Sequence, residues 1–328
     1  MRKFRELACV IICISVCVFA FGKPSAEVLP SWNETSNRQR IIDFVNLVTD
    51  EASPSYVPKE ERIAVFDLDG TLFCEKPLYL QVLIAAERLY DQAEKNPVLR
   101  DIEPYKGAWK RDWGYISDHT NFLEMNLTAF EGDTEEEYKK YVEDYLTGRK
   151  NPDFKVPYID LFYVPMLELL DFLRSRDFEL YIVSGSPQEF IRVFSKEKIN
   201  VPLEKVIGDT ISVAFEVREK RAVYIRKHAV VEPEVLREGK PENIRMRLGR
   251  APIFAFGNSN DDIAMLEAAF ASGLPNLSLT LYHDDGEREY AYGKGAEKVL
   301  KAAGERGWAI VSMKKDFKVI FPEGITRE

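Results

Sequence analysis

The segment Asp67-Leu68-Asp69-Gly70-Thr71 constrains this chain more than any other. It follows the apolar run Ile63-Ala64-Val65-Phe66, which reads as a short buried strand. Side chains two residues apart at a strand end point the same way, so Asp67 and Asp69 share one side. Gly70 lets the backbone turn sharply, and Thr71 adds a hydroxyl beside the carboxylates. Like charges this close repel, and a bound cation is the natural way to keep both ionised. The pattern predicts a Mg²⁺ site with one carboxylate free to attack phosphorus. A plain Asp-Gly surface turn is the alternative.

The rest of the chain supplies a matching rhythm. Arg38 to Val48 has helical spacing, and Ser53 to Pro58 breaks it before the first strand. Residues 78–160 are helical in pattern and rich in charge, with Tyr105, Trp109, Trp113, Tyr138, Tyr141 and Tyr145 expected to pack an inserted helical module. Beyond it, a helix is expected over 164–174, a strand over 178–183 and a helix over 188–198. Residues 206–226 read as a β-hairpin. A helix over 241–248, a strand over 252–256 and a helix over 261–269 follow, then strands at 277–282 and 308–311 with a helix near 295–305 between them. Strands alternating with helices predict an α/β fold with a parallel sheet covered on both faces. In such sheets ligands bind outside the carboxyl ends of the strands.

Composition narrows the function classes. The 328 residues carry a formal net charge of -9, and no basic block suits a nucleic-acid backbone. Phosphate binding must then come from local cations, backbone N–H groups and metal. Arg2, Lys3 and Arg5 precede an apolar run from Leu7 to Phe21, about 15 residues where a membrane span needs about 20. Residues 1–26 are therefore expected to be a signal peptide, cleaved after Ala20 or Ala26, and the protein to be exported to the periplasm or cell envelope. An uncleaved anchor is the alternative, and lipidation at Cys17 is disfavoured by Val16 before it. Cys9, Cys13 and Cys17 all lie in this leader, which leaves Cys74 as the one cysteine of the mature chain and no intrachain disulfide. His119, His228 and His283 are widely spaced and read as surface or core residues. No catalytic triad or zinc spacing emerges.

Three further segments fall at strand ends. Ser184-Gly185-Ser186 offers a hydroxyl and backbone N–H groups to an anion ahead of the next helix, although a serine helix cap would look the same. Gly239-Lys240-Pro241-Glu242 opens a helix and can aim a fixed ammonium at a phosphate. Gly257-Asn258-Ser259-Asn260-Asp261-Asp262 places an amide and carboxylates at a helix start, and oxygen ligands are what Mg²⁺ takes. Helix capping would explain that cluster too. All four segments in this order are much harder to explain by chance than any one.

On these residues the chain resembles the haloacid dehalogenase-like hydrolase superfamily. It looks closest to exported bacterial members of the phosphoserine-phosphatase-like branch. That closer likeness also includes Ser31-Trp32-Asn33, Cys74-Glu75-Lys76-Pro77, Pro165 to Leu170 and Glu287 to Tyr292. The resemblance implies a Rossmann-like core, 31–77 and 161–328, with a helical cap at 78–160. It implies Asp67 as nucleophile and Asp69 as general acid, then base. Thr71, Ser184 with Gly185, and Lys240 would hold the phosphoryl group, and Glu75 would face a substrate amino group. Asp67, the Asp69 carbonyl and Asp262 would hold Mg²⁺, with Asp261 as a lysine-orienting or outer carboxylate; either of that pair could face the ion. Asn258 stands where many relatives have Asp, and its amide oxygen can still bind the metal. Asp69 favours phosphomonoester hydrolysis over dehalogenation, since dehalogenases of this kind generally lack that acid. A small organic phosphate ester is the expected substrate, with a phosphotransferase or mutase as runner-up. A non-catalytic binding protein on the same scaffold is the remaining alternative.

Overall fold

The computed structural model describes residues 27–328. The expected leader, 1–26, lies outside the described residues. Helix α1 (Ser36–Thr49) precedes strand β1 (Ile63–Phe66). A run of helices follows: α2 (Leu80–Lys95), α3 (Tyr105–Trp109), α4 (Trp113–Ile116), α5 (Phe122–Phe130) and α6 (Glu135–Gly148). Helix α7 (Val164–Ser175) leads into β2 (Glu179–Pro187), α8 (Gln188–Ile199), β3 (Val206–Arg218) and β4 (Arg221–Val231). The chain ends through α9 (Gly239–Leu248), β5 (Phe254–Gly257), α10 (Ile263–Phe270), β6 (Leu277–Tyr282), α11 (Glu297–Arg306), β7 (Ala309–Ser312) and α12 (Met313–Asp316).

The seven strands form one sheet in the order β4-β3-β2-β1-β5-β6-β7. Every neighbouring pair is parallel except β3 and β4, which form the antiparallel hairpin. The fold is thus the expected mostly parallel α/β sheet. All four residues of β1 are buried, and their side chains alternate between the two faces of the sheet as strand geometry requires. Ala64 and Phe66 join the core that holds Phe44 and Val45 of α1, Leu169 and Leu173 of α7 and Phe190 of α8. Ile63 and Val65 join the opposite core, with Ile244 of α9, Met265 of α10 and Val299 of α11. With both faces covered, β1 is an apolar run without alternation. Fully burying a side chain such as Phe66 contributes about 1.5–3 kcal/mol.

Two boundaries differ from expectation by more than two residues. Strand β2 continues past Val183 through Ser184 and Ser186, because its end pairs with β3 at Pro187 and Asp209. The hairpin reaches Val231, beyond the expected 226, because β4 pairs with β3 as far as Val231 opposite Thr210. The helical run also sits on this hairpin. The Gly132 N–H donates to Arg226 O and the Arg226 N–H donates to Asp133 O, each at 2.9 Å, while the buried Arg226 guanidinium lies 3.9 Å from the Tyr138 ring centroid. Helix α6 starts with a reciprocal cap between Thr134 and Glu137. Among the described residues no helix is long and apolar enough to cross a membrane.

Candidate active site

The carboxyl ends of β1, β2 and β5 converge, as the parallel topology requires, and carry most of the expected residues. Asp67 follows β1 and is tied to β5 by its N–H, which donates to Phe256 O at 2.9 Å. Gly70 then has φ +75°, and a Cβ there would fall 2.1 Å from Asn258 Nδ2. Only glycine fits this turn. It folds Thr71 back, so that the threonine hydroxyl lies 3.1 Å from Asp67 Oδ2 and 3.3 Å from Asn258 Oδ1.

Lys240, in the first turn of α9, is 2% exposed. Its Nζ donates to Asp67 Oδ1 at 2.7 Å and to Asp262 Oδ1 at 2.6 Å. Burial works against its charge, but Asp262 and Asp67 more than offset this and hold the ammonium above the usual lysine range. Burial, then Asp262, push Asp67 up to about 8 against the opposing pull of Lys240. Asp69 faces β2: its Oδ2 accepts from Ser186 Oγ at 2.7 Å and from Ser184 Oγ at 3.3 Å. Its Oδ1 is buried and has no hydrogen-bond partner among the described residues. Burial raises Asp69 to about 6, with the Ser186 hydrogen bond opposing.

The distal motif departs from expectation. Asp262 is fully buried and both of its oxygens are engaged. Oδ1 takes Lys240, and Oδ2 takes the N–H groups of Asn258 at 3.0 Å and Ser259 at 2.9 Å with the Ser259 hydroxyl at 3.1 Å. Asp262, and not Asp261, is therefore the carboxylate that orients the lysine. Gly257 allows this packing, since a Cβ there would fall 2.5 Å from Asp262 Cβ. Asp261 turns outward, its side chain 39% exposed, and accepts from Arg237 Nε at 2.9 Å. Both oxygens of Asp262 are thus taken, against the expected ligand set, whereas Asp261 meets Arg237 through Oδ1 and lines the same cavity as Asp67.

What remains for a cation is an oxygen group. Asp67 Oδ2 and Asn258 Oδ1 share one threonine proton, and the Asp69 carbonyl belongs to the same loop. Among the described residues no three His, Cys, Asp or Glu side chains gather as a metal cluster. One carboxylate, an amide oxygen, a main-chain carbonyl and retained waters make a donor set that suits Mg²⁺ better than a softer metal. A cation there would also relieve the charge crowding that pushes Asp67 upward.

These groups open onto a cavity of about 420 Å³. Gly185 and Glu75 line it, but Glu75 Oε1 is held by Lys76 Nζ at 2.9 Å. One face of that carboxylate is thus taken by the chain's own ammonium. The far wall is aromatic. Tyr79, His119 and Phe122 pack with ring centroids 5.7, 5.8 and 4.7 Å apart. The six helical-module aromatics singled out in the sequence are not among the lining residues. Asp209 and His119 do line it and were not expected to, and so does Ser186, which the sequence named only as part of the Ser184-Gly185-Ser186 segment and gave no role of its own. Ser186 was findable, since it stands two residues from Ser184 on one strand and shares its face. Asp209 accepts from the Val235 N–H at 2.6 Å, and burial raises it to about 7. Of the other histidines, His283 is buried and His228 pairs with Glu124 on the surface.

No curated protein matches this chain. Solved structures do. A protein with unknown function from Bordetella pertussis Tohama I is 15% identical over 76% of this chain and 98% of its own, with a TM-score of 0.51. A conserved functionally unknown protein from Anaerococcus prevotii DSM 20548 is 18% identical over 90% of this chain and 98% of its own, with a TM-score of 0.52. At these identities the likeness is one of fold. A phosphoserine phosphohydrolase-like protein from Francisella tularensis subsp. tularensis SCHU S4 is 17% identical over 78% and 95% of the two chains, with a TM-score of 0.42. The model of the haloacid dehalogenase-like hydrolases matches residues 64–267, a span that takes in all four strand-end segments, and the chain belongs to that family.

Proposed function

We propose that this chain is a Mg²⁺-dependent phosphomonoester hydrolase that works through an aspartyl-phosphate on Asp67. One observation carries the reading. Lys240 bridges Asp67 and Asp262 in a buried setting, and Asp69 stands two residues from Asp67 with one oxygen unpartnered. An ammonium fixed on a carboxylate favours its ionised, nucleophilic form against the burial that opposes it, and meets the charge of an incoming phosphate.

In the first half-reaction an Asp67 oxygen bonds to phosphorus as the ester P–O bond breaks, and Asp69 gives its proton to the departing alkoxide. In the second, Asp69 takes a proton from water as that water's oxygen bonds to phosphorus. The P–O bond to Asp67 then breaks and inorganic phosphate is released. A carboxyl raised to about 6 suits both tasks. Thr71, Ser184 and Lys240 would receive the phosphoryl oxygens. Mg²⁺, held by Asp67, Asn258 and the Asp69 carbonyl, would supply charge neutralisation there. Export remains our proposal on the strength of the leader alone, tested by fractionating cells and sequencing the mature N-terminus.

The enzymatic test is release of p-nitrophenol from p-nitrophenyl phosphate with Mg²⁺, alongside phosphate release from phosphoserine, phosphocholine and sugar phosphates. Asp67→Asn is expected to lower turnover by roughly 10⁴-fold or more with the thermal midpoint unchanged or raised. A variant that keeps the wild-type rate excludes the covalent route.

A further inference from the structure

The segment Glu287 to Tyr292, which the reaction leaves unused, meets the catalytic loop through one buried histidine. His283 is 3% exposed and Glu289 and Tyr163 are fully buried. His283 Nε2 lies 2.8 Å from Gly70 O. A carbonyl oxygen can only accept, so Nε2 carries the hydrogen. The other ring nitrogen faces Glu289 Oε2 at 3.2 Å. With Nε2 protonated, a proton must also lie between Nδ1 and that carboxyl group, or two lone pairs would meet. Glu289 is fixed in turn: Oε1 accepts from the Tyr163 hydroxyl at 3.1 Å and Oε2 from the Tyr290 N–H at 2.6 Å. Tyr292 stacks on the imidazole at 4.3 Å between centroids.

Gly70 is the residue this chain of contacts reaches, and it lies between Asp69 and Thr71. Its N–H donates to Phe73 O at 3.0 Å, so His283 fixes the remaining main-chain polar group of Gly70. Tyr163 grips the same loop a second time, its N–H donating to Leu72 O at 2.9 Å. We propose that His283, held by Glu289 and Tyr163, is a positioning residue: it sets the turn at Gly70 and thereby the placement of Asp69 and Thr71 around the nucleophile. The effect on rate rests on the phosphatase reading above; the effect on the loop does not.

Three substitutions separate positioning from general support of the fold. His283→Phe keeps a ring on Tyr292 and removes both nitrogens. His283→Gln restores one donor, and Glu289→Gln disturbs only the support. Each is followed by kcat and KM for p-nitrophenyl phosphate, by the thermal midpoint, and by hydrogen–deuterium exchange of the peptide covering 67–74. For His283→Phe, kcat should fall roughly 100-fold, the scale of a misplaced catalytic group, with KM within about threefold. Loop exchange should quicken by about tenfold while β1 and β5 stay protected. Gln at 283 should recover most of the loss, and Glu289→Gln should fall between. If the Phe variant does not fold, the Gln substitutions decide by the same readings. Unchanged loop exchange in folded variants, or protection lost evenly over the molecule, overturns the proposal. Should the wild type show no hydrolysis, the phosphatase reading fails and the exchange comparison still judges the clamp.

Discussion

The strand-end crest and the helical wall facing it are built on different principles. On the crest Asp67, Asp69, Thr71, Ser184, Lys240, Asn258 and Asp262 are all buried, and each is fixed by a named hydrogen bond. The facing wall is aromatic: Tyr79, His119 and Phe122 touch by ring packing, and His119 and Thr120 are exposed. Fixed polar groups keep reacting atoms in place, which chemistry demands. Apolar packing tolerates change of shape at smaller cost. Substitutions on the crest should therefore act on turnover or folding, and those on the wall on substrate binding.

The largest combined loss of stability and rate is expected at Lys240. Lys240→Met leaves Asp67 and Asp262 buried without their shared cation, which costs on the order of 3–5 kcal/mol. Activity toward p-nitrophenyl phosphate should fall at least about 10³-fold. Denaturant unfolding and turnover measure the two losses. A variant of unchanged stability would contradict the buried bridge.

At Asp69 the loss depends on the leaving group. Asp69→Asn cannot give a proton, so alkyl phosphates should lose roughly 10²–10⁴-fold and p-nitrophenyl phosphate less, since p-nitrophenolate departs without protonation. The same logic sets a pH dependence. With the Asp69 carboxyl raised to about 6, its acid form prevails below that pH and is lost above it. For an alkyl phosphate kcat/KM should then decline as pH rises past about 6, and the decline should vanish in Asp69→Asn.

Phe122 tests the opposite wall. Phe122→Ala removes the ring shared by Tyr79 and His119. KM for p-nitrophenyl phosphate should rise by roughly 3–10-fold, the scale of one aromatic contact, with kcat within about twofold. A fall in kcat alone would give the wall a part in the chemistry and erase the contrast with the crest.

The two regions also differed in how far the sequence disclosed them. Residues that follow apolar strands were legible, because a buried strand leaves one outlet for its polar end. This located Asp67, Asp69, Ser184 and the start of the distal motif. Lys240 was placed by its helix start. The wall was less legible: Tyr79 precedes α2 and Phe122 opens α5, helices whose apolar spacing serves packing and pocket alike. The His283 contact to Gly70 joins residues 213 positions apart, a separation that local periodicity does not register. Asp261 and Asp262 illustrate the same limit at short range. Adjacent residues in a 3-10 turn point about 120° apart, and composition does not say which one faces inward.

That adjacency gives the smallest predicted effect and a sharp one. Asp262 is fully buried with Lys240 and three hydrogen-bond donors of its own turn upon it, whereas the Asp261 carboxylate accepts from Arg237, whose side chain is 73% exposed. Exposed pairs of that kind contribute about 0–1 kcal/mol. Asp261→Asn should thus leave stability within about 1 kcal/mol and turnover within about twofold at saturating Mg²⁺. Asp262→Asn replaces a buried acceptor of four donors and should cost both folding and rate. Running the two variants side by side, with a Mg²⁺ titration on each, decides which neighbour serves the site. Loss of turnover in Asp261→Asn that excess Mg²⁺ restores would return Asp261 to the metal.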